Sequence, residues 1–192
     1  LYPGRGQVAV ETTIGFVYDY VQETLDGSEE LARRYFPFIA TIFIYILMAN
    51  LISLFPFVGA ITYDHSALFY PVNTDLNVPL ALAIIAFIAI EFAGITALGV
   101  LKYAGKFVNV HSVLGFVVGL IELVSEVARL ITFSFRLFGN IFAGKVLILL
   151  ALAFVPYLLP VPLLVYEVFV GVIQAAIFAL LTLFFIKIAV SE

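Results

Sequence analysis

The chain contains no cysteine, no tryptophan, one methionine and two histidines among 192 residues. Without cysteine it can form neither a disulfide nor a thiolate metal site, although this leaves its compartment open. Charge is scarce too: 11% of residues are Asp, Glu, Lys or Arg, against about 25% in soluble proteins. The net charge is −4 and no basic tract occurs, which argues against nucleic acid as a partner. No metal-ligand cluster, nucleophile triad or phosphate-binding loop can be read from the chain, so no catalytic residue, cofactor or metal site is expected. No signal-peptide pattern is present, and the start at Leu1 rather than Met leads to the expectation of a further N-terminal piece.

What the sequence does have is apolar surface. Hydrophobic residues make up 64% of the chain, against about 45–50% in soluble domains. A soluble fold of this size could not bury so much, so lipid is the expected surroundings. The fold class predicted is an all-α integral membrane protein forming one membrane domain over residues 1–192. About four membrane helices are expected, the last two long and steeply tilted, plus an N-terminal amphipathic surface helix.

That surface helix is predicted over 7–25, where Val10, Ile14, Val17, Tyr18, Val21 and Leu25 recur at helical spacing among Glu11, Asp19 and Glu23. Residues 26–35 read as a charged loop, 36–57 as a first span ending at Pro56, and 78–101 as a second containing Glu91. Between these spans, 58–77 is a turn-rich stretch with Asp64, His65 and Asp75, and 102–112 is a connection with Lys102, Lys106 and His111. From Ser112 to Phe154 no proline interrupts the chain. A helix over 112–154 would be about 60 Å long, roughly twice the hydrocarbon thickness, and must tilt steeply or break. Pro156, Pro160 and Pro162 make the turn into a last helix over 163–189. Arg33, Arg34, Lys102, Lys106 and Lys187 flank one side, while 58–77 and 155–162 carry no Lys or Arg. Both ends as given are therefore expected in the cytoplasm. No internal repeat is evident, unlike many secondary transporters.

The third membrane helix carries a polar stripe. At about 100° per residue, with Glu122 at zero, Ser125 falls near −60°, Glu126 +40°, Arg129 −20°, Thr132 −80°, Arg136 −40° and Asn140 0°. All seven lie within an arc of about 120°. A charge at the bilayer centre costs about 2.5–3.5 kcal/mol on insertion scales, so such a stripe implies water, partners or both. Glu126 and Arg129 are spaced for a local ion pair. Arg136 is different: along its helix the nearest acid, Glu126, is ten residues away. Arginine stays protonated at any working pH, so an acid from another chain would meet its need. Glu167 and Gln174 lie seven residues apart on the last helix, with Gly171, Ala175 and Ala176 allowing close approach. Glu91 reads as a structural pairing partner, and Asp64 and His65 as solvated loop residues.

The run Ser134-Phe135-Arg136-Leu137-Phe138-Gly139-Asn140-Ile141-Phe142-Ala143-Gly144 closely resembles subunit a of rotary F-type ATP synthases, in a bacterial-like form. Glu122 stands at that family's spacing before the arginine. The run Gly171 to Thr182 resembles the family's final helix, Ala49-Asn50-Leu51 through Pro56 an earlier span, and Asn73-Thr74-Asp75-Leu76-Asn77 the segment opening the next.

The resemblance implies a stator ion-channel subunit, not itself an enzyme, with two offset half-channels passing protons, or sodium ions, to and from carboxylates of a rotating c-ring. It implies that Arg136 attracts the deprotonated ring carboxylate and blocks leak between the half-channels. Asn140 and Gln174 would position Arg136 or line the path. Glu122 and Ser125 would line the cytoplasmic half-channel, Glu167 and Lys145 the opposite one, and Asp75 would lie near its mouth. Lys145 stands where glutamate or histidine is commoner in the family. The implied partners are the c-subunit ring, the peripheral-stalk b subunits, the lipid bilayer and, indirectly, the catalytic head. The expected location is the bacterial plasma membrane ahead of the thylakoid or mitochondrial inner membrane. Two other readings are a stand-alone secondary ion transporter using the same polar seam and a purely structural membrane subunit. The first lacks a self-supplied acid for Arg136, and the second leaves the stripe unexplained.

Overall fold

The computed structural model describes residues 4–54, 62–63, 66–67, 74–107, 113–156 and 158–191. In chain order these form α1 (Arg5–Thr24), α2 (Glu29–Ser53), the two-residue strands β1 (Thr62–Tyr63) and β2 (Ser66–Ala67), α3 (Asn77–Leu98), α4 (Val100–Phe107), α5 (Val113–Phe154) and α6 (Pro160–Ser191). The strands pair antiparallel, Thr62 opposite Ala67 and Tyr63 opposite Ser66. Helices α2, α3, α5 and α6 are each long and apolar enough to cross a membrane. The fold is that of an all-α integral membrane protein. Asp64, His65, Asn73, His111, Ser112 and Pro56 lie outside the described residues.

Local chemistry moves several expected boundaries. The stretch 26–35 is not all loop, because α2 begins at Glu29. Ser28 caps it by accepting a hydrogen bond from the Leu31 backbone N–H, and Glu29 and Glu30 occupy its first turn, where carboxylates favour the helix dipole. Arg33 pairs back to Glu29 at 2.6 Å. Arg33 and Arg34 are thus helical, and α2 runs on through Pro37, ending at Ser53. The second span stops at Leu98 rather than 101: Gly99 breaks it with φ 82°, and part of the expected connection is α4. The last helix starts at Pro160 rather than 163, since prolines are tolerated in a first turn whose N–H groups have no helical acceptor.

Helix α6 is the hub, packing against α2, α3 and α5 and touching α1. One core cluster joins Val21 and Leu25 of α1 to Tyr35 and Ile39 of α2, Ile90 of α3, and Leu183 and Ile186 of α6. A second joins Ile42 and Ile46 of α2, Ala83 and Ala86 of α3, Phe133 and Leu137 of α5, and Ala175 and Phe178 of α6. The C-terminal end of α1 docks, with Val21 and the C-cap residue Leu25 buried, while Ile14 and Phe16 are exposed. The turn after α1 uses Asp26 (φ 58°) and Gly27 (φ 76°). Asp tolerates this left-handed conformation better than most residues, and its carboxylate accepts a hydrogen bond from Lys187 at 2.7 Å.

The long contacts sort the bundle into two ends. The α1–α2 turn meets the end of α6 through Asp26 and Lys187. At the opposite end, Asn50 reaches Gly171 near the start of α6, and Lys145 reaches Thr74 just before α3. The 42-residue α5 runs unbroken between the two.

Candidate functional site

The polar residues of α5 lie on the edge of its packed face, and burial follows their angle around the helix. Glu126, near +40°, is buried beside the core positions Phe133 and Leu137. Glu122, Asn140, Arg129 and Arg136, between about 0° and −40°, are half-buried. Ser125 and Thr132, near −60° and −80°, are exposed. One seam thus presents a graded series from protein interior to open face.

At one end of the seam Arg129 donates to Glu126 at 2.7 Å, an i,i+3 ion pair, and its guanidinium carbon lies 3.8 Å from the Phe185 ring centroid. Ser125 and Thr132 return their hydroxyls to the carbonyls of Ile121 and Ala128 on their own helix.

Arg136 sits one turn from the Asn140 end of the seam. Its Nη1 is buried with no hydrogen-bond partner, and among the described residues no carboxylate ion-pairs with it. Gln174 on α6 is likewise buried, its Nε2 without a hydrogen-bond partner among the described residues. Neither Asn140 nor Gln174 hydrogen-bonds to Arg136, so the structure supplies no direct clamp on the guanidinium. A guanidinium nitrogen buried without an ion-pair partner among the described residues is a costly arrangement.

Beyond Arg136, polar groups converge from α2, α5 and α6. Asn50 is 1% exposed and donates to the Gly171 carbonyl at 3.0 Å. Gly171 permits this approach, because a Cβ there would sit 3.2 Å from the Asn50 Cβ. Asn50, Leu54, Asn140, Ile141 and Glu167 line a narrow crevice. Glu167 lies against α5 at Gly144, where any Cβ would overlap its carboxylate. Next to Gly144, Lys145 donates to the Thr74 hydroxyl. No direct ion pair joins Lys145 to Glu167 or to Asp75 among the described residues. Asp75 instead accepts from the backbone and side-chain amides of Asn77, at 3.1 and 3.0 Å, and so shapes the entry to α3.

The family profile described as ATP synthase A chain matches residues 1–187. The chain belongs to that family.

Three bacterial relatives show the likeness. ATP synthase subunit a of Campylobacter jejuni (strain 81-176) is 38% identical over 81% of this chain and 64% of the relative, so the match spans less than two thirds of that protein. ATP synthase subunit a of Campylobacter concisus is 34% identical, over 100% of this chain and 80% of the relative. ATP synthase subunit a of Legionella pneumophila (strain Paris) is also 34% identical, over 97% and 73%. With its apolar helices, this member of the ATP synthase A chain family is a multi-pass integral protein of the bacterial plasma membrane.

Asn140 and Glu167 share the crevice with Asn50, to which the sequence assigns no role, and Lys145 meets Thr74, which the sequence also leaves without one. Asn50 is a lone amide in an apolar span, which is the available signal. A threonine before a helix start gives none. A further polar contact, also missed, lies near the Glu126–Arg129 end. The Tyr103 hydroxyl of α4 donates to Glu91 Oε2 at 2.8 Å, while Glu91 Oε1 is buried without a partner. Gly94 lacks the Cβ that would strike the Tyr103 ring. Burial, and then the bond to Glu91, push the Tyr103 hydroxyl above its usual range.

Proposed function

We propose that this chain is the stator ion-channel subunit of a rotary ATP synthase, passing protons between two half-channels and the carboxylates of a rotating ring. The observation that carries the reading is the Arg136 guanidinium, half-buried at the edge of α5 with no carboxylate partner among the described residues. A ring carboxylate moving past that edge supplies the missing charge. Two unit charges 4 Å apart attract by about 4 kcal/mol at an effective dielectric of 20. Desolvation offsets much of that gain, so the pair is strong enough to form at each step and weak enough to part.

The distribution of polar groups supports two separate paths. Glu122 and Ser125 stand toward the end where Asp26 meets Lys187, and would line the cytoplasmic half-channel. Glu167, Lys145, Asn50 and Asp75 gather toward the other end, and would line the opposite half-channel with Asp75 at its mouth. Asn140 and Gln174 lie between them near the level of Arg136, whose fixed charge repels an excess proton and so separates the paths. At about 63 Å, α5 is too long for an upright span and would lie steeply tilted with α6 beside the ring. The c-ring and the peripheral-stalk b subunits are the direct partners, and ATP chemistry belongs to the catalytic head.

The test is Arg136→Ala in the assembled complex, with proton-driven ATP synthesis as the readout. Loss of coupled synthesis with normal assembly is expected. Near-normal synthesis would overturn the assignment, and proton exchange by the purified chain alone in liposomes would favour a stand-alone transporter.

A further inference from the structure

We propose that Thr74 is a positioning residue for ion passage: its hydroxyl holds the Lys145 ammonium beside Glu167 without letting the two collapse into a direct ion pair. This rests on the half-channel reading above and assigns a task to a residue that reading leaves idle.

The lysine stem is flexible and its ammonium carries three rotatable donors. Glu167 on α6 lies close enough to act on its charge, and Asp75 adjoins Thr74 in the chain. Asp75 is engaged by both amides of Asn77. Glu167 lies against α5 at Gly144, the residue before Lys145. Yet Lys145 bonds to neither acid, and its acceptor is the uncharged Thr74 hydroxyl. Among the described residues, the polar groups that line the crevice with Glu167 are Asn50 from α2 and Asn140 from α5, neither of them ionisable.

A direct Lys145–Glu167 pair in a half-buried setting would close on itself and take the carboxylate out of proton exchange. Tethered to Thr74, the ammonium acts as a fixed charge whose field reaches Glu167 while the carboxylate oxygens stay free to exchange protons. A lysine at this position therefore needs an acceptor from another element, and Thr74 provides it.

The experiment uses the assembled complex in inverted membrane vesicles and follows ATP-driven proton pumping across a pH series. The variants are Thr74→Val, Thr74→Ser, Lys145→Met and the Thr74→Val/Lys145→Met double. Thr74→Val is expected to slow pumping about tenfold, the size of one hydrogen bond to a charged group, and to displace the pH profile. Thr74→Ser should restore both. In the Lys145→Met background Thr74→Val should add nothing, since coupled residues are non-additive.

Parental rate and profile in Thr74→Val, or full additivity with Lys145→Met, would overturn the proposal. If Thr74→Val does not assemble, Thr74→Ala takes its place under the same criteria. Arg136→Ala run in parallel separates the two readings. A dead Arg136 variant beside a neutral Thr74 variant sinks only the positioning role, whereas a working Arg136 variant sinks the half-channel reading itself.

Discussion

The side-chain amide of Asn50 donates to the backbone carbonyl of Gly171 across 121 positions of sequence, and the missing Cβ of Gly171 is what lets α2 and α6 come close enough for it. Interhelical hydrogen bonds within membranes average about 0.6 kcal/mol and reach about 1.7. Asn50→Ala should therefore lower stability within that range. Gly171→Ala should cost more, because its new methyl meets the Asn50 Cβ at 3.2 Å, an atom fixed to the α2 backbone, so α2 has to give by a few tenths of an ångström. Thermal unfolding of the purified chain in detergent measures both, and an equal or smaller loss in Gly171→Ala would contradict the packing argument.

Arg136 should trade stability for function. A half-buried guanidinium with no ion-pair partner among the described residues destabilises the chain that carries it. Arg136→Leu is expected to raise the stability of the isolated subunit by about 0.5–2 kcal/mol, the usual gain from relieving strain at a functional position, while abolishing coupled synthesis in the complex. A lower melting temperature in the leucine variant would mean that the guanidinium is satisfied internally.

Tyr103 gives an alkaline signature. Its hydroxyl is held above the ordinary range, first by burial and then by Glu91, so the folded chain keeps a proton that the unfolded chain loses near pH 10. The stability tied to that proton is complete below about pH 10 and falls as pH rises toward the folded value. Tyr103→Phe should lose roughly 1–3 kcal/mol at neutral pH, because Glu91 is left buried without its donor, and should show a flatter decline above pH 10. Melting temperature against pH for both proteins checks this, and parallel curves would exclude the linkage.

Much of the architecture could be read in advance where periodicity or length is strong. The absence of proline between Ser112 and Phe154 announced one long helix, and the angular grouping of Glu122 through Asn140 announced a polar edge. The Glu126–Arg129 pair follows from i,i+3 spacing alone, and it is present at 2.7 Å. What escaped was of two kinds. Helix starts at Glu29 and Pro160 were hidden because charge and proline read as loop, although a Ser N-cap at Ser28 followed by first-turn glutamates favours a helix start. Partners far apart in sequence were hidden because only packing brings them together. Asn50 with Gly171 and Lys145 with Thr74 meet when separate helices converge. Glu91 is paired, and its partner Tyr103 lies in α4, where the lysines read as a connection.

The graded exposure along α5 depends on register more than on composition. Successive positions differ by about 100° in phase, so one residue inserted between Thr132 and Arg136 would turn the guanidinium from the boundary into the packed interior without changing a single side chain. Exchanging Leu for Ile elsewhere on the rod would leave that phase untouched. This stretch can vary freely in which apolar residues fill it, but not in how many it contains.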